Sequence, residues 1–337
     1  MEKNNSEITD NIFTEIISLI RDARNRALQT VNKELINLYW QVGKYISAKV
    51  KSEQWGKSVV TSLAEHIQRT EPEIKGFSDK NLWRMKQFYE IYQDNEKLAT
   101  MCRELSWSHN RVIFGRCKIE EERQYYLNVC IKERYSVRDL ERQINTSTFE
   151  RTKIAQTKLS PMMRELPQKV SDTFKDTYVF EFLGLPDKHS EFDLQRSLVH
   201  NLKHFILELG GDFTFMGENY RIQVGNEDFY VDLVFYHRSL QCLVAFELKI
   251  DKFRPEHMGQ LEFYLEALDR DVKKAHENPS IGILLCAYKD NDVVEYALSR
   301  SASPTLIADY ETKLIPKAVL QRKLHELFED AESPEDE

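Results

Sequence analysis

The sequence predicts a two-domain α+β protein, with an all-helical domain over residues 1–165 and an α/β domain built on a mixed sheet over 166–337. Three observations predict it. Apolar residues recur at helical spacing through the first half, proline and glycine gather between 160 and 190, and short runs rich in Val, Phe, Tyr and Leu then alternate with helical stretches. A chain of 337 residues suits about two domains.

In the first half, Ile12, Ile16, Ile17 and Ile20 lie on one helical face, and Leu35, Leu38, Tyr39, Val42 and Ile46 repeat the spacing. Leu63 and Ile67, then Leu82, Met85, Phe88, Tyr89 and Tyr92, continue it, with a helix start expected after Gly76-Phe77-Ser78. Ser160-Pro161, Leu166-Pro167 and Gly184-Leu185-Pro186-Asp187 mark the connection between domains. A helix over Leu194–Leu209, stopped by Gly210-Gly211, should open the second domain. Strands follow at Phe213–Met216, Tyr220–Val224, Phe229–Tyr236 and Cys242–Ile250, with a hairpin turn at 225–228. A helix at Glu256–Leu268, a strand at Ile281–Tyr288, a helix at Asp292–Leu298, a strand near Thr305–Ala308 and a helix at Pro316–Phe328 complete the order.

The chemistry concentrates in the hairpin. Its two apolar runs carry charge where a buried strand should carry none: Asp232 in the first, Glu247 and Lys249 in the second. Residues two apart share a strand face, so Glu247 and Lys249 point one way while Phe246, Leu248 and Ile250 point the other. The hairpin connection at His237–Gln241 can bring Asp232 beside them. A structural ion pair is the plain alternative, since buried charge without a partner costs several kcal/mol. Gln260 and Tyr264 lie four apart on the next helix, on one face that can reach the carboxylates.

Asp232, Glu-x-Lys at 247–249 and Gln-x-x-x-Tyr at 260–264 together resemble the PD-(D/E)XK nucleases, and most closely the YhcG-like family that couples a helical N-terminal domain to such a nuclease domain. Further similar words are Leu-Glu-Leu-Gly at 207–210, Val-Asp-Leu-Val-Phe-Tyr at 231–236, Asn-Pro-Ser-Ile-Gly at 278–282 and Val-Val-Glu-Tyr-Ala-Leu at 293–298. The N-terminal half contributes Glu-Leu-Ile-Asn-Leu-Tyr-Trp at 34–40, Gly-Phe-Ser at 76–78, Leu-Ser-Trp-Ser-His-Asn at 105–110 and Ser-Val-Arg-Asp-Leu-Glu-Arg-Gln-Ile at 136–144. Ser106 stands where the family usually has Pro.

The resemblance implies a restriction-endonuclease-like fold for the second domain. It also implies a Mg²⁺ cofactor (with Mn²⁺ able to substitute) held by Asp232, Glu247 and the Leu248 carbonyl, with Lys249 as the catalytic lysine and Gln260 and Tyr264 beside it. The preceding helix often supplies one more acid in this family; Gln195 falls nearest that place, with Glu191 and Asp193 as neighbours. These residue types suit phosphodiester hydrolysis. Carboxylates are hard ligands for a hydrated divalent cation, and a lysine is a compact charge that steadies an oxyanion.

Charge is uneven. Residues 1–165 hold 28 Lys and Arg against 23 Asp and Glu, whereas 166–337 hold 19 against 32, seven of those acids in the last twelve positions. The basic excess of the first half suits phosphate contacts or a merely solvated surface. Trp107, His109, Asn110 and Arg111 form an aromatic and polar cluster that can grip a phosphate or unstacked base, or else a turn with Trp107 in the core and Asn110 capping a helix. Arg134, Arg138 and Arg142 recur every four residues and can line a helix face along DNA, or pair with local acids. Lys252 and Arg254 lie just past the charged strand, placed to hold a substrate backbone.

Five cysteines, odd in number and without a Cys-x-x-Cys pair, read as free thiols of a cytoplasmic protein. No signal-peptide pattern and no apolar run of membrane-spanning length is present, so no membrane is expected as a partner. Phosphate-loop and serine-hydrolase signatures are missing. The leading expectation is a metal-dependent DNA endonuclease, set by resemblance in bacterial defence, restriction or DNA processing, with a partner protein from such a system. The alternatives are a catalytically silent DNA- or protein-binding scaffold, or a nuclease for junctions or RNA. Cutting both strands of a duplex calls for two sites, the reason to consider a homodimer.

Overall fold

The structure, a computed structural model, describes residues 2–52, 56–157, 159–165, 173–186 and 188–332, with side chains from residue 16 to residue 326 save 157 and 164–165 within those stretches. Leu166-Pro167 and Asp187 of the expected connection, and the acidic positions 333–337, lie outside the described residues. Two compact units divide between Leu140 and Glu141.

Unit 1 is helical: α1 (Glu2–Lys51), α2 (Lys57–Thr70), α3 (Asp79–Tyr92), α4 (Glu96–Cys102), α5 (Trp107–Arg116), α6 (Glu120–Glu133) and the start of α7 (Val137–Asn145). Its helix starts follow capping chemistry. The hydroxyls of Ser78 and Ser106 and the carboxamide oxygen of Asn95 accept from the Asn81, His109 and Leu98 amides respectively. Ser106, which departs from the family's usual Pro, is thus the cap of α5. Gly43 lets α1 lie directly on α3: a Cβ there would sit 2.1 Å from the Met85 carbonyl oxygen. Trp40, Phe88, Tyr92, Trp107 and Phe114 form edge-on and tilted ring pairs around that contact.

Unit 2 adds α8 (Thr148–Thr157), α9 (Pro161–Glu165), β1 (Thr177–Val179), α10 (Glu191–His200), α11 (Leu202–Leu209), β2 (Phe213–Val224), β3 (Glu227–His237), β4 (Cys242–Lys252), α12 (Glu256–Ala267), β5 (Ile281–Tyr288), α13 (Asn291–Leu298), β6 (Thr305–Glu311) and α14 (Lys317–Glu332). The strands form one sheet in the order β1-β6-β5-β4-β3-β2. β2, β3 and β4 are antiparallel, whereas β4, β5, β6 and β1 run parallel. The sheet is mixed, as expected.

Alternation along the strands feeds two cores. Phe235, Phe246, Leu248, Ile283 and Leu285 pack with Leu194, Leu198 and Phe205 of α10 and α11. Val234, Ala245, Leu284 and Cys286 pack with Leu261, Tyr264 and Leu265 of α12. Gly282 makes room for that helix, since a Cβ there would meet Leu261 at 2.9 Å.

Several elements differ from the expectation. The single helix over Leu194–Leu209 is two, broken at Asn201, whose side-chain amide donates to the Ser197 carbonyl at 3.0 Å. The two strands expected between 213 and 224 are one, with a register shift between Phe215 and Gly217. Arg142 and Arg151, before the expected boundary at 165, belong to the second compact unit and turn their guanidiniums onto its Glu208. All five cysteines are buried thiols outside any disulfide. Among the described residues no helix is long and apolar enough to cross a membrane.

Candidate active site

The candidate site lies where β3 begins and β4 ends. Phe246 and Leu248 are committed to the α10–α11 core, so alternation puts Glu247 and Lys249 on the α12 side of the sheet. Leu233 pairs with Phe246 across the hairpin, which sets Asp232 opposite the charged end of β4. The Leu248 amide donates to Asp232 Oδ2 at 2.8 Å. Lys249 Nζ donates to Glu247 Oε1 at 2.9 Å, while Glu247 Oε2 is buried without a hydrogen-bond partner.

Electrostatics follow from that crowding. Burial, then the nearby Asp232 carboxylate, pushes Glu247 up to about 7, against the pull of Lys249. Burial also raises Asp232, opposed by the Leu248 amide and Lys249. Burial works against the charged form of Lys249, yet its bond to Glu247 wins and holds its pKa above the usual lysine range. Two acids and one ammonium therefore leave excess negative charge in a partly buried place.

α10 supplies two further groups. Gln195 Nε2 donates to the main-chain oxygen of Asp232 at 2.8 Å, and Glu191 Oε2 lies 3.8 Å from Lys249 Nζ. Asp193 faces elsewhere, closing a capping box with Ser190. On α12, Gln260 Nε2 donates to the Tyr264 hydroxyl at 2.9 Å. Burial raises the Tyr264 pKa, and the charges of Glu247, Asp232 and Lys249 all act on that hydroxyl. The structure thus brings together Asp232, Glu247, Lys249, Gln260 and Tyr264, with Glu191 and Gln195 at their margin.

The hard oxygen set suits a divalent cation. Among the described residues no cluster of three or more His, Cys, Asp or Glu forms a metal site. The fit rests on two carboxylates and, with the Leu248 carbonyl, one main-chain oxygen, a set that leaves Mg²⁺ the waters it retains. Glu247 Oε2, buried and unpartnered, is the atom that most needs such an ion.

The residues considered for nucleic-acid contact fare unevenly. Trp107 donates to Asn81 Oδ1 at 2.9 Å and rings with Tyr39 and Phe88. His109 bonds Ser106 and the Tyr135 carbonyl, and the Asn110 amide donates to the Cys102, Leu105 and Ser106 carbonyls. These three support helix packing, and Arg111 is the exposed member of the cluster. The stripe of Arg134, Arg138 and Arg142 is not one helix face. Arg134 terminates α6 in the left-handed region (φ 53°), before α7 starts. Arg142 is spent on Glu181 at 2.8 Å and Glu208 at 2.9 Å, so it is not a free phosphate contact; Arg138 stays exposed. Lys252 lies 3.6 Å from the half-buried Asp290 and Arg254 3.8 Å from Glu256; Lys252, Arg254 and Glu256 are exposed.

A mixed sheet with helices on both faces, carrying an Asp and a Glu-x-Lys at the ends of adjacent strands, defines a nuclease domain of the PD-(D/E)XK class. Residues 171–325 match the YhcG PDDEXK nuclease domain, and residues 15–151 match the DUF1016 N-terminal domain. The "Putative nuclease YhcG" of Escherichia coli (strain K12) is 32% identical over 340 residues, 90% of each chain. The chain belongs to the YhcG family of PDDEXK nuclease-domain proteins. A crystal structure of a repair endonuclease from Pyrococcus abyssi aligns with 40% of this chain and 50% of its own at 15% identity, but with a TM-score of 0.26 it carries no weight.

Proposed function

We propose that the chain is a Mg²⁺-dependent DNA endonuclease, with Asp232, Glu247 and the Leu248 carbonyl as the metal's ligands. The observation that carries this reading is the buried, unpartnered Glu247 Oε2 beside Asp232 and Lys249. A bound divalent cation supplies an acidified water and neutralises charge on the phosphoryl oxygens. Lys249 steadies the negative oxygens of the pentacoordinate phosphorus and orients the attacking water. Gln195 fixes the main chain that bears Asp232, and the Leu248 amide fixes its carboxylate, so the acid need not reorganise on binding. Tyr264, oriented by Gln260, offers a hydroxyl at the rim. Arg111, Arg138, Lys252 and Arg254, all exposed, are the side chains assigned to the DNA backbone. The setting in defence, restriction or DNA processing rests on the family resemblance alone.

The test is incubation of the whole chain with supercoiled, linear, branched and single-stranded DNA, and with RNA, in Mg²⁺ or Mn²⁺. The expected result is cleavage of at least one DNA, lost on chelation and in Asp232→Ala, Glu247→Ala and Lys249→Ala. Cleavage of RNA alone, or activity surviving these substitutions, defeats the proposal.

A further inference from the structure

The helix that carries Gln260 and Tyr264 holds a third polar side chain, His257, to which the chemistry above assigns nothing. Positions 257, 260 and 264 are three and four residues apart and share one helix face. α12 connects the parallel strands β4 and β5, so it runs back along β4 and its first turn lies nearest the end of that strand. The charges follow this order. Glu247, Asp232 and Lys249 act on the Tyr264 hydroxyl, whereas Lys249 and, from α10, Glu191 act on the His257 ring. His257 thus continues the Gln260–Tyr264 edge of the site past Lys249.

Hydrogen bonding fixes what the ring can offer. The Arg254 amide donates to Nδ1 at 3.3 Å, and Phe253 stands edge-on to the ring with centroids 6.2 Å apart. With Nδ1 accepting, the proton of the neutral ring sits on Nε2. Among the described residues Nε2 has no hydrogen-bond partner. The neutral form is favoured, because His257 is half-buried in the first turn of α12, where the helix dipole opposes an added proton. Burial, then the Lys249 ammonium, lowers its pKa; Arg254 adds to this, and Glu256 and Glu191 oppose it. Such a ring is no general acid, since loss of the Nε2 proton would leave an imidazolate. It is no base or metal ligand through Nε2, which carries the proton. What remains is an uncharged donor beside a lysine, the use to which a neutral histidine at a helix N-terminus can be put.

We propose that His257 Nε2–H donates to a non-bridging oxygen of the substrate phosphodiester, next to Lys249. The contact rests on the nuclease reading for its substrate and adds to it a residue outside the carboxylate and lysine set.

Histidine labelled with ¹⁵N reports the tautomer directly, and the signal missing from His257→Gln is that of His257. In the free whole chain at neutral pH it should show the proton on Nε2. Duplex or single-stranded DNA, added with Ca²⁺ to hold the complex uncut, should shift that resonance. Two substitutions then separate the ring's nitrogens. The glutamine amide reaches the place of Nε2, while the asparagine oxygen reaches only that of Nδ1 and keeps the Arg254 bond. With Mg²⁺, His257→Asn should lower kcat about a hundredfold, the loss typical of one donor to a developing oxyanion, and His257→Gln should stay within about tenfold of the wild type. The pH–rate profile of His257→Gln should keep the wild-type shape. A proton on Nδ1, an Nε2 signal unmoved by bound DNA, rescue by asparagine in place of glutamine, or a limb of the profile that vanishes with the ring overturns the proposal and leaves the nuclease reading intact. DNA that binds and moves the His257 signal but is never cut defeats the nuclease reading and not this contact. A chain that binds no DNA defeats both.

Discussion

Two glutamates buried in unit 2 meet opposite fates. Glu208, with no exposed side-chain surface, accepts from Arg151, from Arg142 at 2.9 Å and from the Val179 amide at 3.1 Å. Glu247, 3% exposed, accepts from Lys249 and has an oxygen left over. Burial raises both pKa values. At Glu208 the charges of Arg151, Lys175 and Arg142 overwhelm it and hold the carboxyl down at about 2. At Glu247 the neighbouring Asp232 adds to it and the carboxyl stands at about 7. Glu208, the more deeply buried of the two, has the lower pKa, so desolvation does not decide the outcome; the number and sign of the partners does. A saturated carboxylate is a fastening, and an under-satisfied one beside a second acid is a place for a cation.

The largest effects should separate the two on cleavage and on folding. Asp232→Asn or Glu247→Gln should lower cleavage by about three orders of magnitude, several kcal/mol of transition-state stabilisation, without lowering the urea midpoint. Arg151→Ala should do the reverse by stranding a buried charge. It should cost about 3–5 kcal/mol, read from denaturant midpoints, and an unaltered midpoint would refute the fastening role.

Acidity sharpens the contrast. Glu208 titrates below its unfolded value of 4.5, so its stabilisation is present above 4.5 and disappears as pH falls towards about 2. Glu247 is raised, so the folded state holds a proton the unfolded state lacks between 4.5 and about 7. Metal-free protein should therefore lose stability, on the order of 3 kcal/mol, as pH rises through that window, and Glu247→Gln should flatten the slope. Mg²⁺ or Mn²⁺ at a hundredfold excess over its dissociation constant should restore about 2.7 kcal/mol to the wild type at pH 7, visible as a rise in melting temperature, and none to Asp232→Asn. The smallest expected effect is that of Gln195→Ala, which releases the Asp232 main chain. About tenfold weaker metal binding or cleavage is expected, with no change in substrate preference.

What could be read from sequence alone was whatever obeys a short period. Two-residue alternation along β3 and β4 was enough to gather Asp232, Glu247 and Lys249, and four-residue spacing was enough to pair Gln260 with Tyr264. The three-residue β1 carries no period, and its partner β6 lies far along the chain, so it was invisible. The break at Asn201 and the bulge after Phe215 are single-residue events inside patterns that otherwise continue. Arg142 was misread for the opposite reason. Its spacing fits a solvent-facing stripe, but its partners Glu181 and Glu208 stand 39 and 66 residues away, and nothing local announces them.

The position of those arginines has a practical corollary for dissection. Arg142 and Arg151 precede residue 171, where the match to the nuclease domain begins. A truncation made at that border, or at 165, would strip Glu208 of both guanidiniums and leave it Lys175, at 3.9 Å, and the Val179 amide. Any shortened version meant to stand alone has to start upstream of Arg142 and carry α8 along.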